Sequence, residues 1–518
     1  MWGLVFGFIR FAGTHTRHCH RPVMARLGQS PAIFASAGLF LIFIASMSGH
    51  LYSYDGLMYF RGAERMVFER SLVFDPPLNW GGPISSSIMP VGFSLVQLPA
   101  VLFAGWARSM QPISSTAPYD AALLYGDPVY TLSSWMNPLL VALTGALTFR
   151  TAQRVGAPRR ASMLVAVAII LGSPLFFYAR ADFAQPLTTL LLLGIVALLI
   201  DAIQRRNVRP GLMAGAVAMA ILTRPVDGLM IAFAALVVLC LPLGDWRPLR
   251  DARRLGVEVA IGVLGGLAVT LLVNVIRFGS PLDFGFQTDP FGSLELGLLA
   301  ELVSPGRGLL WYFPLLALAP IGAWALWRPG YRHEIVAIVL PILVYLPIYA
   351  KWQSLGQWSW GPRYLVPLIP LLGLLAGCVA WSSRRHAPAL LFGTLAIVGG
   401  LANLAHLAVD PLRGFWGVYG DSNFGTPGFW RQFEIGAFAP IGSWQMYDPA
   451  AGPDMMWLRL TGYTHGASIL VFLLLLLFGV LSLFRAWVLS GPGVAVGLSV
   501  PGGPVHLANH FGRRGARS

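Results

Sequence analysis

Long apolar runs, each separated from the next by a short polar segment, recur along almost the whole chain. A helix needs roughly 20 apolar residues to cross the ~30 Å hydrocarbon core of a bilayer. A helix also satisfies its own backbone hydrogen bonds, which a bilayer cannot do for it. The pattern therefore predicts an all-α polytopic membrane protein. Thirteen runs fit, at residues 31–49, 89–107, 130–149, 161–178, 183–203, 211–223, 226–243, 255–276, 309–327, 335–350, 364–382, 387–408 and 465–487.

The arginine clusters between the runs predict which loops are cytoplasmic, because basic residues are enriched on that side of a membrane. If all thirteen runs crossed, the clusters at 150–160 and 205–209 would lie opposite the basic segment 1–30. Every cluster lies on one side if exactly one early run does not cross. Run 89–107, with two prolines and two glycines, is the best candidate. We therefore predict about twelve transmembrane helices plus one re-entrant or interfacial segment; thirteen spans is the alternative.

Composition supports the membrane class and excludes others. Hydrophobic residues make up 56% of the chain and charged residues 11%, whereas soluble proteins average about 25% charged residues. The net charge of +14 does not indicate nucleic-acid binding, because the basic residues lie in short clusters between apolar runs. Three cysteines cannot form a disulfide framework.

The polar segment after the first run, residues 50–88, is predicted to be the first external loop. Residues 56–69 alternate apolar and charged positions with helical spacing, which predicts an amphipathic helix lying at the membrane interface. Asp55 is the first acidic residue in the chain and stands at the end of the first run. Two roles suit it: a general base for an acceptor hydroxyl, or the N-cap of the following helix.

The predicted external loops carry charges of both signs, whereas the cytoplasmic loops carry mostly arginine. Chemistry on phosphate and sugar needs both carboxylates and cations. The centres of the runs are nearly free of ionisable groups. A charge there costs about 2.5–3.5 kcal/mol on insertion scales, and transporters commonly place one at the midplane. The pattern therefore weighs against an ion-coupled transporter.

Seven motifs follow one another along the chain: Tyr54–Tyr59, Ser87–Leu95, Tyr178–Asp182, Leu222–Pro225, Asn274–Gly285, Ser304–Gly308 and Trp358–Tyr364. Their order and loop positions together resemble the GT-C superfamily of integral-membrane glycosyltransferases, in the branch with the protein O-mannosyltransferases and the lipid A aminoarabinose transferases. The resemblance covers roughly residues 31–410. Many members have a second acidic residue after the first-loop aspartate, where this chain has Gly56.

The resemblance implies a polyprenyl-phosphate-linked sugar as donor and transfer at the external face. Asp55 is then the expected general base, and Asp182 the second catalytic candidate. Guanidinium groups bind phosphate in bidentate fashion, so Arg180 and Arg363 are expected to hold the leaving phosphate. A surface ion pair is the alternative for Arg180 and Asp182, and a simple ion pair is favoured for Arg224 and Asp227. Further substrate-binding candidates are Lys351, Arg61, Tyr59 and Trp360.

Some of these candidates have common structural alternatives. Lys351 suits an interfacial anchor, and Trp360 suits the aromatic belt of a membrane protein as well as stacking on a sugar. No residues have the spacing of metal ligands, so we expect no metal and no cofactor beyond the donor.

The predicted organisation has five parts. They are a cytoplasmic segment at 1–30, a GT-C-like transmembrane catalytic module at 31–408, a long external loop at 409–464, a last transmembrane helix at 465–487 and a disordered cytoplasmic tail at 488–518. The expected location is a bacterial plasma (inner) membrane, as part of the cell envelope, with the active site on the external face. Membrane lipid is an expected partner, and the acceptor is a protein, lipid or glycan.

Two other functions fit the same sequence class. A flippase or transporter for a lipid or lipid-linked sugar predicts an inverted repeat and polar residues along a transmembrane path. A non-catalytic envelope scaffold predicts that Asp55, Arg180 and Asp182 do not converge in space.

Overall fold

The prediction of an all-α membrane protein is confirmed. The described part of the computed structural model is helical and contains no β-strand. Six of its helices are long and apolar enough to cross a membrane, and the total number of spans stays a prediction. The described residues are 30–49, 53–73, 89–107, 134–204, 206–241, 252–285, 292–327, 331–352, 359–383, 386–409, 430–447, 449, 453–459 and 466–491.

The helices follow the predicted apolar runs closely. In chain order they are α1 (Pro31–Ser46), α2 (Tyr54–Glu64), α3 (Val91–Ala107), α4 (Met136–Arg154), α5 (Arg159–Leu171), α6 (Leu175–Arg180), α7 (Gln185–Ile203), α8 (Leu212–Thr223), α9 (Pro225–Cys240), α10 (Ala252–Phe278), α11 (Leu294–Val303), α12 (Leu309–Tyr312), α13 (Ala319–Leu326), α14 (Arg332–Ala350), α15 (Ile369–Ser382), α16 (His386–Leu404), α17 (Ala439–Gln445), α18 (Met456–Arg459) and α19 (Gly466–Leu489).

Shorter turns join some of these helices. A π-helical turn, Arg65–Glu69, extends α2, and 3-10 turns lead into α13 (Pro314–Leu318) and α15 (Arg363–Leu368). Run 161–178 forms two helices, α5 and α6, because Gly172 and Pro174 interrupt it.

Helix α7 is the centre of the bundle. It is apolar on every side, and its residues from Gln185 to Ala202 are buried. A helix that is hydrophobic all round is buried among other helices, and α7 packs against α4, α8, α14 and α15. Its threonines Thr188 and Thr189 donate to carbonyls four residues earlier in the same helix, so they leave no unsatisfied hydroxyl in the core.

Helices α10, α16 and α19 form the outer surface of the bundle. Apolar side chains face outward along them, including Leu264, Leu401 and Phe484, each more than 60% exposed. Such large apolar faces do not suit contact with water, whereas they suit contact with lipid acyl chains. The outer faces therefore agree with the membrane assignment.

The helix predicted over 56–69 is present as α2 and its π-helical turn, but its surroundings differ from the prediction. Met58, Phe60 and Ala63 are buried, and so are the charged residues Arg61 and Glu64. These two side chains form an ion pair at 2.7 Å, which lets the helix pack inside the protein, mainly against α3, instead of lying on a membrane surface.

One end of the bundle collects the ends of several elements. Helix α2 begins there, α6 ends there, α8 meets α9 at Arg224, and the turn that precedes α15 begins there with Arg363. The contacts given in the next section hold these elements together. They are far apart in sequence, and only packing of the helices brings them to one place.

Parts of the predicted organisation lie outside the described residues. These are residues 1–29 of the cytoplasmic segment and residues 492–518 of the tail. Of the loop 409–464, the structure describes residues 409, 430–447, 449 and 453–459, which include α17 and α18. The end of the loop docks on α1, because the Met456 amide donates to the Met47 carbonyl at 2.8 Å.

Two glycines of α10 provide a matched test of this packing. A Cβ at Gly262 would lie 2.6 Å from the Ala214 carbonyl oxygen of α8, whereas a Cβ at Gly265 meets nothing within 4 Å. We expect Gly262→Ala to destabilise the protein by about 1–3 kcal/mol through overpacking. Gly265→Ala should be neutral or slightly stabilising, because alanine is the better helix former. Thermal unfolding in detergent checks both; equal midpoints would contradict the α8–α10 contact.

Candidate active site

Asp55 lies in the first turn of α2 and is not its cap. The cap is Ser53, whose hydroxyl oxygen accepts a hydrogen bond from the Gly56 amide at 3.0 Å. The capping role considered for Asp55 from the sequence is therefore wrong. An acidic side chain in the first helical turn is still favoured by the helix dipole. Asp55 is partly exposed, so its carboxylate is available for chemistry.

Arg363 forms an ion pair with Asp55. Its Nη2 atom donates to Asp55 Oδ2, and the two side chains are 16% and 18% exposed. The guanidinium also lies over the ring of Phe183, 4.4 Å from its centroid. Two of the residues selected from the sequence therefore meet across the fold, although they are more than 300 positions apart.

Asp182 supplies a second carboxylate beside Asp55. Its Oδ1 accepts a hydrogen bond from Ser53 Oγ at 3.3 Å. It also packs directly on Gly56, where a Cβ would overlap the Asp182 carboxylate. The residue that departs from the family pattern thus makes room for an acid from another loop. The second acid comes from across the fold rather than from the next position in the chain.

Arg224 joins this cluster, although the sequence favoured a simple ion pair for it. It does pair with Asp227, at 3.2 Å. Its guanidinium also lies over the rings of Tyr364 and Tyr349, at 5.0 and 5.8 Å, and the Tyr349 hydroxyl donates to Asp227. Tyr364 directly follows Arg363, so its ring links the Arg224–Asp227 pair to the turn that carries Arg363. In the sequence, the Arg224-Pro225 pair between two apolar runs was the signal that could have marked Arg224 as a site residue.

Tyr59 is buried behind these arginines. Its carbonyl accepts a hydrogen bond from Ser94 Oγ at 2.8 Å, and its ring packs edge-to-face on Phe93 at 5.1 Å. Burial raises the pKa of Tyr59 to about 12, against the opposing effect of the nearby Arg224. The hydroxyl therefore stays protonated at neutral pH. Its position supports the arginine cluster from inside the protein.

Arg180 has different partners from those expected. Its side chain is fully buried and donates to the backbone carbonyls of Ser46, His406 and Asp454, the second at 2.9 Å. It also lies 3.5 Å from the Asp454 carboxylate. The guanidinium thus ties together the end of α1, the end of α16 and the end of the long loop. This corrects the expectation that Arg180 holds a phosphate.

Trp360 is also structural rather than substrate-facing. It is 1% exposed, its indole N–H donates to Asn403 at 3.0 Å, and its ring stacks on Phe177 at 5.5 Å. Because a sugar cannot reach a ring buried in this way, the expectation that Trp360 binds substrate is corrected.

The other two candidates have local partners. Arg61 is paired with Glu64 within α2, as described above, so its guanidinium already has a carboxylate. Lys351 is exposed at the C-terminal end of α14 and acts electrostatically on Glu295 of α11. Its backbone carbonyl accepts a hydrogen bond from the Gly292 amide at 2.8 Å. These contacts suit stabilising roles for both residues.

Arg307 fixes the turn that carries Arg363. Its Nη1 atom donates to the Ser359 carbonyl, the Ser359 hydroxyl and the Gly361 carbonyl, at 3.0, 2.7 and 3.3 Å. Gly361 has a φ of +65°, a conformation that favours glycine. Arg307 lies in the Ser304–Gly308 motif, to which the sequence alone assigns no role. Its contacts with the Trp358–Tyr364 motif form only in the folded chain.

Glu301 is a buried carboxylic acid near Arg307. It is 1% exposed, and neither of its oxygens has a hydrogen-bond partner in the described part of the chain. Burial raises its pKa to about 8, although the charge of Arg307 opposes the shift. The side chain therefore keeps its proton at neutral pH. Glu301 was not among the site residues predicted from the sequence.

A search of the described ranges finds no group of three or more His, Cys, Asp or Glu residues that could hold a metal ion. The carboxylates of the site have nitrogen or hydroxyl partners instead. The expectation that no metal is required stays a prediction.

No family profile matches this chain, and neither does any protein of curated function. Among solved structures it is similar to ArnT from Cupriavidus metallidurans. The apo structure is 16% identical with a TM-score of 0.44, over 88% of this chain and 77% of ArnT. The structure bound to undecaprenyl phosphate is 17% identical with a TM-score of 0.43, over 80% of this chain and 76% of ArnT.

The raised pKa of Glu301 makes stability depend on pH. The folded protein keeps this proton up to about pH 8, whereas the unfolded chain releases it near pH 4.5. The contribution is therefore fully present below about pH 4.5 and is lost as the pH rises to about 8. We expect Glu301→Gln to raise the melting midpoint by several degrees at pH 9 and to have little effect at pH 5.

Glu295→Gln on the same helix is the control, because Glu295 is exposed. Thermal unfolding in detergent across this pH range measures the difference. The same stabilisation by both variants at pH 9, or a Glu301→Gln effect that does not change with pH, would argue against a buried protonated acid.

Proposed function

We propose that this protein is a glycosyltransferase that moves a sugar from a polyprenyl-phosphate-linked donor to an acceptor at the external face of the membrane. The observation that carries the proposal is the cluster of two carboxylates, Asp55 and Asp182, with two partly exposed arginines, Arg363 and Arg224. It lies at one end of an otherwise apolar bundle. Such a cluster suits an amphipathic ligand, whose lipid tail can lie in the bilayer while its polar head contacts the charged residues.

Asp55 is proposed as the general base. An acceptor hydroxyl is a poor nucleophile until a nearby group takes its proton. Asp55 is 18% exposed, so an acceptor can approach it. Asp182 is mostly buried and is held by Ser53, which suits a carboxylate that orients the sugar hydroxyls or the neighbouring side chains.

Arg363 and Arg224 are proposed to stabilise the leaving phosphate. As the bond to the sugar breaks, negative charge grows on the phosphate oxygens and needs fixed cations. Arginine matches phosphate geometry through two parallel N–H donors. The aromatic faces of Phe183 and Tyr364 hold these two guanidinium groups in place.

The external location rests on the distribution of arginine. The loops opposite the site carry basic clusters such as 150–160 and 205–209, which favour the cytoplasmic side. We therefore propose an inner-membrane protein of the bacterial cell envelope, whose donor lies in the outer leaflet. The acceptor can be a protein, lipid or glycan, and the end of the loop 409–464, tied to Arg180, suits a role in selecting it.

A flippase or transporter is the alternative, and the core of the bundle does not favour it. The threonines in the middle of α4, Thr144, Thr148 and Thr151, each donate to a carbonyl four residues earlier in the same helix. Hydroxyls bonded in this way do not form a polar path between helices. No metal or cofactor is part of the proposed reaction.

The direct test is transfer in membranes. Purified protein would be offered a panel of radiolabelled polyprenyl-phosphate sugars together with envelope acceptors. We expect wild type to release label from the lipid and Asp55→Asn to lose at least about 100-fold of the rate, as general-base variants do. Equal rates would remove Asp55 as the base, whereas label that crosses the bilayer without transfer would favour the flippase.

Gly56 gives a second test of the site. A Cβ at this position would overlap the Asp182 carboxylate, so Gly56→Ala should displace Asp182 and slow transfer strongly. Thermal unfolding separates lost activity from lost folding. The double variant Gly56→Ala/Asp182→Gly, which restores the space but not the acid, should refold the site without restoring transfer; full activity in it would refute a role for Asp182.

A further inference from the structure

The proposed base and the proposed phosphate ligand are bound to each other. Arg363 donates directly to the Asp55 carboxylate. An arginine beside a carboxylate stabilises its charged form and makes it a weaker base. Asp55 therefore cannot serve well as a base while Arg363 is its partner, and Arg363 cannot fully neutralise a phosphate while Asp55 holds it.

The neighbouring pair shows how an arginine is held when its partner is fixed. Asp227 is completely buried, and the Tyr349 hydroxyl holds it in addition to Arg224. Such a carboxylate has no room to leave its arginine. Asp55, by contrast, is partly exposed in the first turn of α2, so the Asp55–Arg363 pair can separate at low cost.

Arg363 has capacity for another oxygen. Its Nε atom is buried and has no hydrogen-bond partner in the described part of the chain. A guanidinium binds an oxyanion best through two neighbouring N–H groups. Because Nε and Nη2 share one edge of the guanidinium and Asp55 lies on Nη2, a phosphate gains both hydrogen bonds only by displacing Asp55.

We infer that the donor phosphate and Asp55 compete for Arg363, so that donor binding releases Asp55 to act as the base. The inference rests on the proposed function and adds a mode of regulation to it. Without donor, the carboxylate is neutralised by Arg363 and does not activate an acceptor. With donor, the phosphate takes over Arg363, and the freed Asp55 regains its basicity. The donor must then bind before the acceptor is deprotonated.

The competition predicts an unusual effect on binding. Full-length protein in detergent or nanodiscs would be titrated with a polyprenyl phosphate that carries no sugar, and the Kd measured by native mass spectrometry. Removing the competing charge with Asp55→Asn should tighten binding about two- to fivefold, the range expected for a partly exposed ion pair. A catalytic base that does not compete would leave the Kd unchanged.

A double-mutant cycle tests whether the effect passes through Arg363. Arg363→Gln should weaken binding, and adding Asp55→Asn to it should have no further effect. Asp227→Asn is the matched control at the neighbouring pair, where we expect a smaller change. Polyprenyl alcohol, which lacks the phosphate, should bind wild type and Asp55→Asn equally.

The outcomes separate the inference from the function. If wild type binds the phosphate and Asp55→Asn binds it no more tightly, the competition is refuted while the proposed function stands. If tightening persists in the Arg363→Gln background, a general charge effect replaces the competition. If no variant binds the lipid phosphate at all, the proposed function fails, and the competition fails with it.

Discussion

The cost of removing charge from water constrains this structure more than any other factor. The site lies at the end of an apolar bundle, where a carboxylate without partners is strongly disfavoured. Asp55 is paired with Arg363, Asp227 with Arg224 and the Tyr349 hydroxyl, and Asp182 accepts from Ser53. The Asp55–Arg363 and Asp182–Ser53 contacts join residues that are 308 and 129 positions apart in the chain. The contacts that provide partners for these carboxylates are therefore the same contacts that assemble the site.

The arginines at this end of the molecule fall into two groups by exposure. Arg180 and Arg307 are almost fully buried and donate mainly to backbone carbonyls, so they fix loops in place. Arg363 and Arg224 are partly exposed and lie over aromatic rings. A guanidinium with open N–H groups and a fixed plane suits recognition of phosphate. The buried pair holds loops in place, whereas the partly exposed pair is proposed to bind the donor phosphate.

The site combines firmly held backbone segments with the partly exposed Asp55–Arg363 ion pair. Helix α7 is buried on all sides and gives the bundle a firm centre, while Arg307 holds the turn before Arg363 by three hydrogen bonds. Asp55 stands on the other side of the pair, in a first helical turn and partly exposed. The two side chains of the pair are almost equally exposed, at 16% and 18%, so a ligand can reach either of them. Under the proposed competition, a phosphate that binds Arg363 would displace Asp55.

The apolar runs by themselves determined that the protein is a helical membrane protein, because the bilayer thickness and the helix rise fix the length of a span. The sequence also selected Asp55, Asp182 and Arg363, which stand where apolar runs end. The predicted phosphate-binding role of Arg180 and the predicted substrate-binding role of Trp360 were wrong. For Arg224 a simple ion pair was favoured, and Arg307 and Glu301 were not selected. Only the tertiary structure decided these roles. A local pattern records that a residue is polar or aromatic, whereas its exposure and partners depend on contacts with segments one hundred or more positions away.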